Sequence, residues 1–231
     1  APPTTAAPGS STTAPASSTV PPGTQTSGSR TVLSPVGLNV RSAPSRTAAV
    51  VGSAAQGAVL TVTGYTAAGG GWFDVKGATV SGWISGQPTL SAPGEFRSFS
   101  SSQLSALYPA AWTEAPAASS VVFRPAAGEG DIVVSPAGNV EQLPHGRTGY
   151  GRSSVSSVVV CGTTAALVVF QRTAAATAVP GALAYRAEVR FAVDKQHALG
   201  FYADLPDLGP TFQTFKELLA SVTFNAPQCV G

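Results

Sequence analysis

Apolar residues in this chain come in short runs closed by Gly, Pro or Ser, and the first set of them lies between residues 31 and 87. Leu38-Asn39-Val40-Arg41-Ser42-Ala43-Pro44 is followed by Val50-Val51-Gly52 and by Gly57-Ala58-Val59-Leu60-Thr61-Val62-Thr63-Gly64-Tyr65. Gly71-Trp72-Phe73-Asp74-Val75-Lys76 and Gly82-Trp83-Ile84 complete the set. Short runs rich in β-branched and aromatic residues, set between turn formers, predict the antiparallel strands of a small barrel. A helix needs a longer stretch and a wider period.

Beyond residue 95 the runs stay strand-like. Phe96 to Leu107 alternates weakly, Tyr108-Pro109-Ala110-Ala111-Trp112-Thr113 reads as a turn with two aromatics, and Val121-Val122-Phe123 and Asp131 to Ser135 read as strands. Val155 to Cys161, Ala165 to Gln171, Ala182 to Val193 and Ala198 to Ala203 follow in the same style. One stretch differs: Phe212, Phe215, Leu218 and Leu219 stand at helical spacing, with Pro210 at the entrance where its missing N–H does no harm. The pattern predicts an antiparallel sheet with one covering helix, an α+β layer fold.

The first set of runs resembles the bacterial SH3-like domain. The resemblance rests on the Leu38-Asn39-Val40-Arg41-Ser42-x-Pro44 opening, the Gly57 to Val62 strand, and the hairpin from Gly71-Trp72-Phe73-x-Val75 to Gly82-Trp83-Ile84. It implies a binding module, often for cell-wall peptide, and not a catalyst. A barrel this small is filled by its own side chains, so a ligand must sit on the outside. The second half looks like the PsbP-like fold, through Ser102-x-Leu104-Ser105-x-x-Tyr108-Pro109-x-x-Trp112, the helix, and a closing Ser221-Val222-Thr223-Phe224 strand. That likeness implies docking or accessory roles and carries over no ligand residues. The expected organisation is a disordered tether over 1–29, an SH3-like barrel over 30–90, a hinge at Ser91-Ala92-Pro93-Gly94 and a PsbP-like domain over 95–231.

Composition sharpens the picture. Residues 1–29 hold only Val20 and Gln25 besides Ala, Pro, Ser, Thr and Gly, and no charge. Such a segment buries too little to offset its chain entropy and acts as an extended spacer. The chain has no Met, not even at residue 1, which leads us to expect trimming, an exported protein of the extracellular space or cell envelope, and a lipid anchor just upstream of Ala1 as one way of holding it there. A formal charge of +2 is too small to argue for nucleic acid. No apolar run is long enough for a transmembrane helix.

Candidate contact residues follow from residue type. Arg41, Tyr65, Trp72 and Asp74 suit stacking on a sugar ring or a peptide backbone, with Trp72 and Tyr65 beside the Gly69-Gly70-Gly71 tip and Trp83 assigned to the core. Arg147, Tyr150 and Arg152 lie in a Gly-rich stretch able to wrap an anion. Cys161 and Cys229, the only two cysteines, are expected to pair and pin the C-terminal tail, a bond worth roughly 3–4.5 kcal/mol.

Catalytic signals are weak. His145 and His197 fall in a loop and a turn, no Gly-x-Ser-x-Gly or Ser-x-x-Lys occurs, and neither His-x-x-x-His nor Cys-x-x-Cys is present. Glu114, Glu129, Asp131 and Glu141 are acids of the right type for glycosidase work, in stretches that read as surface loops. The expectation is a non-enzymatic envelope protein with no cofactor and no metal, whose partner is a cell-wall glycopeptide or an envelope protein. The alternative is a wall hydrolase or its inhibitor, with an active C-terminal half delivered by the barrel.

Overall fold

The computed structural model describes residues 26–137, 148–173, 182–192 and 198–225. His145, His197, Arg147, Glu141 and Cys229 lie outside the described residues, as does most of the expected tether. The described region is mostly β-strand with one α-helix.

The first sheet contains β1 (Gly28–Val32), β2 (Leu38–Arg41), β3 (Val50–Ala54), β4 (Val59–Thr66), β5 (Trp72–Lys76), β6 (Ser81–Ser85) and β7 (Ser91–Pro93), in the order β3-β2-β6-β5-β4-β1-β7. Alternation decides what faces inward. Leu38, Val40, Leu60, Val62, Phe73, Val75 and Ile84 join Val32 and Ala54 in one buried cluster, so strands from six positions in the sheet curl around a common core. Two bulges, between Val40 and Arg41 and between Val62 and Gly64, help bend the sheet. At Gly82, φ is 142° and a Cβ would stand 2.5 Å from the Arg41 carbonyl oxygen, so β2 and β6 approach only because no side chain is there.

The expected hinge at residues 91–94 is absent. Ser91–Pro93 forms β7 against β1, with Ser91 and Ala92 fully buried. The reason is chemical: Arg30, itself buried, donates from Nε to Ser91 Oγ at 3.0 Å and from Nη2 to the Ser91 carbonyl at 2.6 Å. A Pro/Gly-rich phrase becomes a strand because a buried guanidinium needs its acceptors.

The second half carries β8 (Phe96–Ser100), β9 (Leu104–Pro109), β10 (Thr113–Ala117), β11 (Ser120–Arg124), β12 (Asp131–Ala137), β13 (Tyr150–Val160), β14 (Thr163–Arg172), β15 (Tyr185–Ala192), β16 (Ala198–Leu205), α1 (Pro210–Ser221) and β17 (Thr223–Phe224). Seven of these strands form an antiparallel sheet in the order β10-β11-β12-β16-β15-β14-β13, and β17-β9-β8 form a small one. Every second residue of the large sheet points to one face: Ile132 and Val134, Leu167 and Val169, Ala187 and Val189, Phe201 and Ala203. Phe215, Leu218 and Leu219 of α1 are completely buried in the same cluster, and α1 packs on β9, β13 and β16. Burying each of these three side chains contributes about 1.5–3 kcal/mol. The Tyr108–Trp112 phrase is the end of β9 followed by a turn, and both aromatics are in the core.

The halves meet in a third cluster of Leu33, Ala92 and Leu107, with Phe96 against it. Gln56 Nε2 crosses this junction and donates to the carbonyl oxygens of Leu33, at 2.9 Å, and Ser221, at 2.6 Å. Burial of Arg30 lowers its pKa to about 10, against the attraction of Glu217 on α1. Burial likewise pushes the Glu217 carboxyl above the usual carboxylate range, and the hydrogen bond it accepts from Gln213, then its attraction to Arg30, only partly offset this.

Candidate functional site on the outer face of the first sheet

Strand register brings three of the candidate side chains into a row. Arg41 on β2 stands opposite Trp83 on β6, and Trp83 stands opposite Asp74 on β5. Directly opposed residues of antiparallel strands share a face, so Arg41, Trp83 and Asp74 project from the same side. The next position in the row, on β4, is Gly64, which leaves the flank of Asp74 uncovered. Ile84 takes the inward position on β6 with no exposure, so its neighbour Trp83 must point outward, and it is half-buried.

This row lies beside an open groove of about 470 Å³ lined by Ser42, Val51, Thr63, Asp74, Lys76 and Trp83, among others. Arg41 is held in place by a 2.7 Å hydrogen bond from Nη1 to the Ala48 carbonyl oxygen. The result is an indole whose opposed neighbours in the row are Arg41 on one strand and Asp74 on the other, with the Lys76 ammonium lining the same groove. An aromatic face of this kind stacks on rings or apolar edges, while the two charges orient amide and carboxyl groups.

Two sequence assignments change. Trp72, expected at an exposed groove, is 3 % exposed. The turn at Ala68–Gly70 folds over it, with a Cβ built on Gly69 lying 3.4 Å from Trp72 Nε1. Among the described residues that indole N–H has no hydrogen-bond partner. Tyr65 is half-buried and leans inward, its ring centroid 5.1 Å from that of Phe73, so Tyr65 and Trp72 make no shared external platform. Trp83, expected in the core, is the tryptophan that lines the groove. Counting back from the 77–80 turn, where Lys76 pairs with Ser81, would have placed Trp83 opposite Asp74.

The Gly-rich stretch is also different from expectation. Tyr150 and Arg152 are on β13 and not in a loop; the Tyr150 hydroxyl donates to the Leu183 carbonyl at 2.6 Å, and Arg152 is exposed beside a bulge. Pairing with β14 explains this, since Tyr150 and Arg152 match Arg172 and Phe170. Cys161 occupies the turn after β13 with φ 50° and is buried.

Of the candidate acids, Glu114 is on strand β10 and not in a loop, and Asp131 opens β12, the strand expected from Asp131 to Ser135. Asp131 faces Asp204 across the β12–β16 pair, and Arg186 bonds both oxygens of Asp204 at 3.0 Å and Glu188 Oε1 at 2.5 Å. Burial, then the neighbouring Asp204, raises the Asp131 pKa. Among the described residues no three His, Cys, Asp or Glu converge to hold a metal ion. Nor is any helix there long and apolar enough to cross a membrane.

Comparison with known families agrees with the geometry of the first sheet. The bacterial SH3 domain family matches residues 36–87, the segment holding β2 to β6 and therefore Arg41, Asp74 and Trp83. That segment is SH3-like, and such domains are binding modules, often related to the cell wall. No curated protein matches the chain.

Proposed function

We propose that this is an exported, non-catalytic binding and scaffold protein of the cell envelope, whose SH3-like segment takes cell-wall glycopeptide on the face carrying Arg41, Trp83 and Asp74. The observation that carries the reading is that row: an outward tryptophan between opposite charges, inside the family-matched segment. A wall glycopeptide offers what such a row accepts, namely sugar rings and methyl groups for the indole, and carboxylates and amides for the charged neighbours.

On this reading the residues before β1 are a spacer. The units are an SH3-like barrel over 30–90 and a PsbP-like domain over 95–231 that docks or scaffolds. A Cys161–Cys229 bond ties down the tail. Co-sedimentation of the full chain with purified peptidoglycan tests the reading. Retention of the chain with no release of labelled wall fragments supports it. Release of fragments, abolished by Asp131→Asn, would favour hydrolysis by the second half. Absence from the pellet, with capture of an envelope protein instead, would replace the wall by a protein partner.

A further inference from the structure

Among the described residues the large sheet ends in two edge strands, β10 and β13, and only one of them is defended. β10 carries Glu114 and Pro116, a charge and a residue without an N–H, both of which discourage another strand from adding. β13, at the other edge, runs for 11 residues from Tyr150 to Val160, and from Ser153 to Val160 it holds only Ser and Val. It has no proline and no charge in that stretch, and its one bulge lies at its start, between Arg152 and Ser154. Among the described residues no strand pairs with its outer side.

The exposed residues of β13 carry a symmetry of their own. Val158 and Val160 point into the core, while Val155, Ser157 and Val159 lie on the opposite face, with Val155 58 % and Val159 51 % exposed. These two valines stand two residues either side of Ser157. An antiparallel pairing of β13 with another β13 about Ser157 therefore sets Val155 of each chain against Val159 of the other. Cross-strand β-branched pairs of this kind stabilise a sheet. The two Arg152 side chains, sole charges of the strand, fall at opposite ends of the joined ribbon and do not meet.

We infer that the β13 edge is a self-association surface, through which two copies of this chain join their large sheets antiparallel about Ser157. An unrelated extended peptide would use the same backbone groups, but nothing in its chemistry would call for valines placed symmetrically about one serine. A second copy supplies them by construction. Joining the edges also covers the strand most open to indiscriminate pairing.

Sedimentation equilibrium of the full chain over a wide concentration range tests this. The expected result is a reversible monomer–dimer equilibrium whose dissociation constant rises at least about tenfold in the Val155→Lys/Val159→Lys variant, because like charges then oppose each other twice. Both positions are exposed, so circular dichroism and the melting temperature should stay those of the wild type. Ser157→Cys should form an interchain cross-link on mild oxidation, where wild type and Thr113→Cys on the β10 edge do not. A chain that stays monomeric throughout, including one that binds only a foreign peptide on this edge, would overturn the inference. So would a dimer indifferent to the double lysine variant, or one in which Ser157→Cys fails to cross-link.

Discussion

Separate replacement of Trp72 and Trp83 distinguishes burial from contact in the SH3-like segment. Trp72 is 3 % exposed, whereas Trp83 is only half-buried. A fully buried tryptophan removes on the order of 150–250 Å² from water, or about 4–6 kcal/mol at 25 cal/mol per Å², and Trp→Ala changes in cores cost roughly 3–5 kcal/mol. Trp72→Ala is therefore expected to cost about 3–5 kcal/mol, and Trp83→Ala, which removes a side chain already partly in solvent, about 1–2 kcal/mol. Trp72 also gives back something on removal, because its unpartnered Nε1–H is buried at a cost. That places its loss toward the lower end of the range. Urea unfolding followed by circular dichroism reads both; with slopes of about 1–3 kcal/mol per molar, the Trp72→Ala midpoint should lie about 0.3–2 M below that of Trp83→Ala. If Trp83→Ala destabilised the protein as much as Trp72→Ala, the outward placement of Trp83 would be wrong, and with it the groove.

Two further outcomes follow from the second half. Leu218→Ala, at a fully buried position where α1 meets the sheet, should cost about 2–5 kcal/mol in urea unfolding, with the strand signal lost in the same transition. Glu217 has a folded pKa raised above its unfolded value, so the folded state holds the proton more tightly. Its contribution to stability is then greatest below the unfolded value and falls as pH rises from there through the folded one. Glu217→Gln should flatten that decline and raise the melting temperature at pH 7 relative to wild type, while leaving it little changed at pH 4; a variant less stable at pH 7 would show that the Gln213 hydrogen bond and the attraction to Arg30 together outweigh burial.

How far the sequence reveals this molecule depends on which interactions are local. The strands of residues 38–85 were legible because period-two alternation and Gly turns are local, and α1 was legible from Phe212 to Leu219 with Pro210 ahead of it. The different burial of Trp72 and Trp83 was not, since both are large aromatics beside a glycine on the same face of the sheet, and Trp72 is buried by the Ala68–Gly70 turn folding over it. The strand β7 was hidden because its cause, the buried Arg30, is 61 residues away. Tyr150 and Arg152 looked like a loop because glycines at 149 and 151 outweighed a pairing with β14 that is fixed from the far side. Asp131 and Asp204 come together only through the β12–β16 pairing, which no motif announces.

The central claim is that this protein acts through contact at the outer face bearing Arg41, Trp83 and Asp74. Its most direct test is the affinity of the full chain for solubilised peptidoglycan fragments, by titration calorimetry, before and after Trp83→Ala. The account predicts that the folded variant binds about thirtyfold or more weakly, as the loss of an aromatic anchor worth at least about 2 kcal/mol requires. Unchanged affinity in a folded Trp83→Ala protein would contradict it.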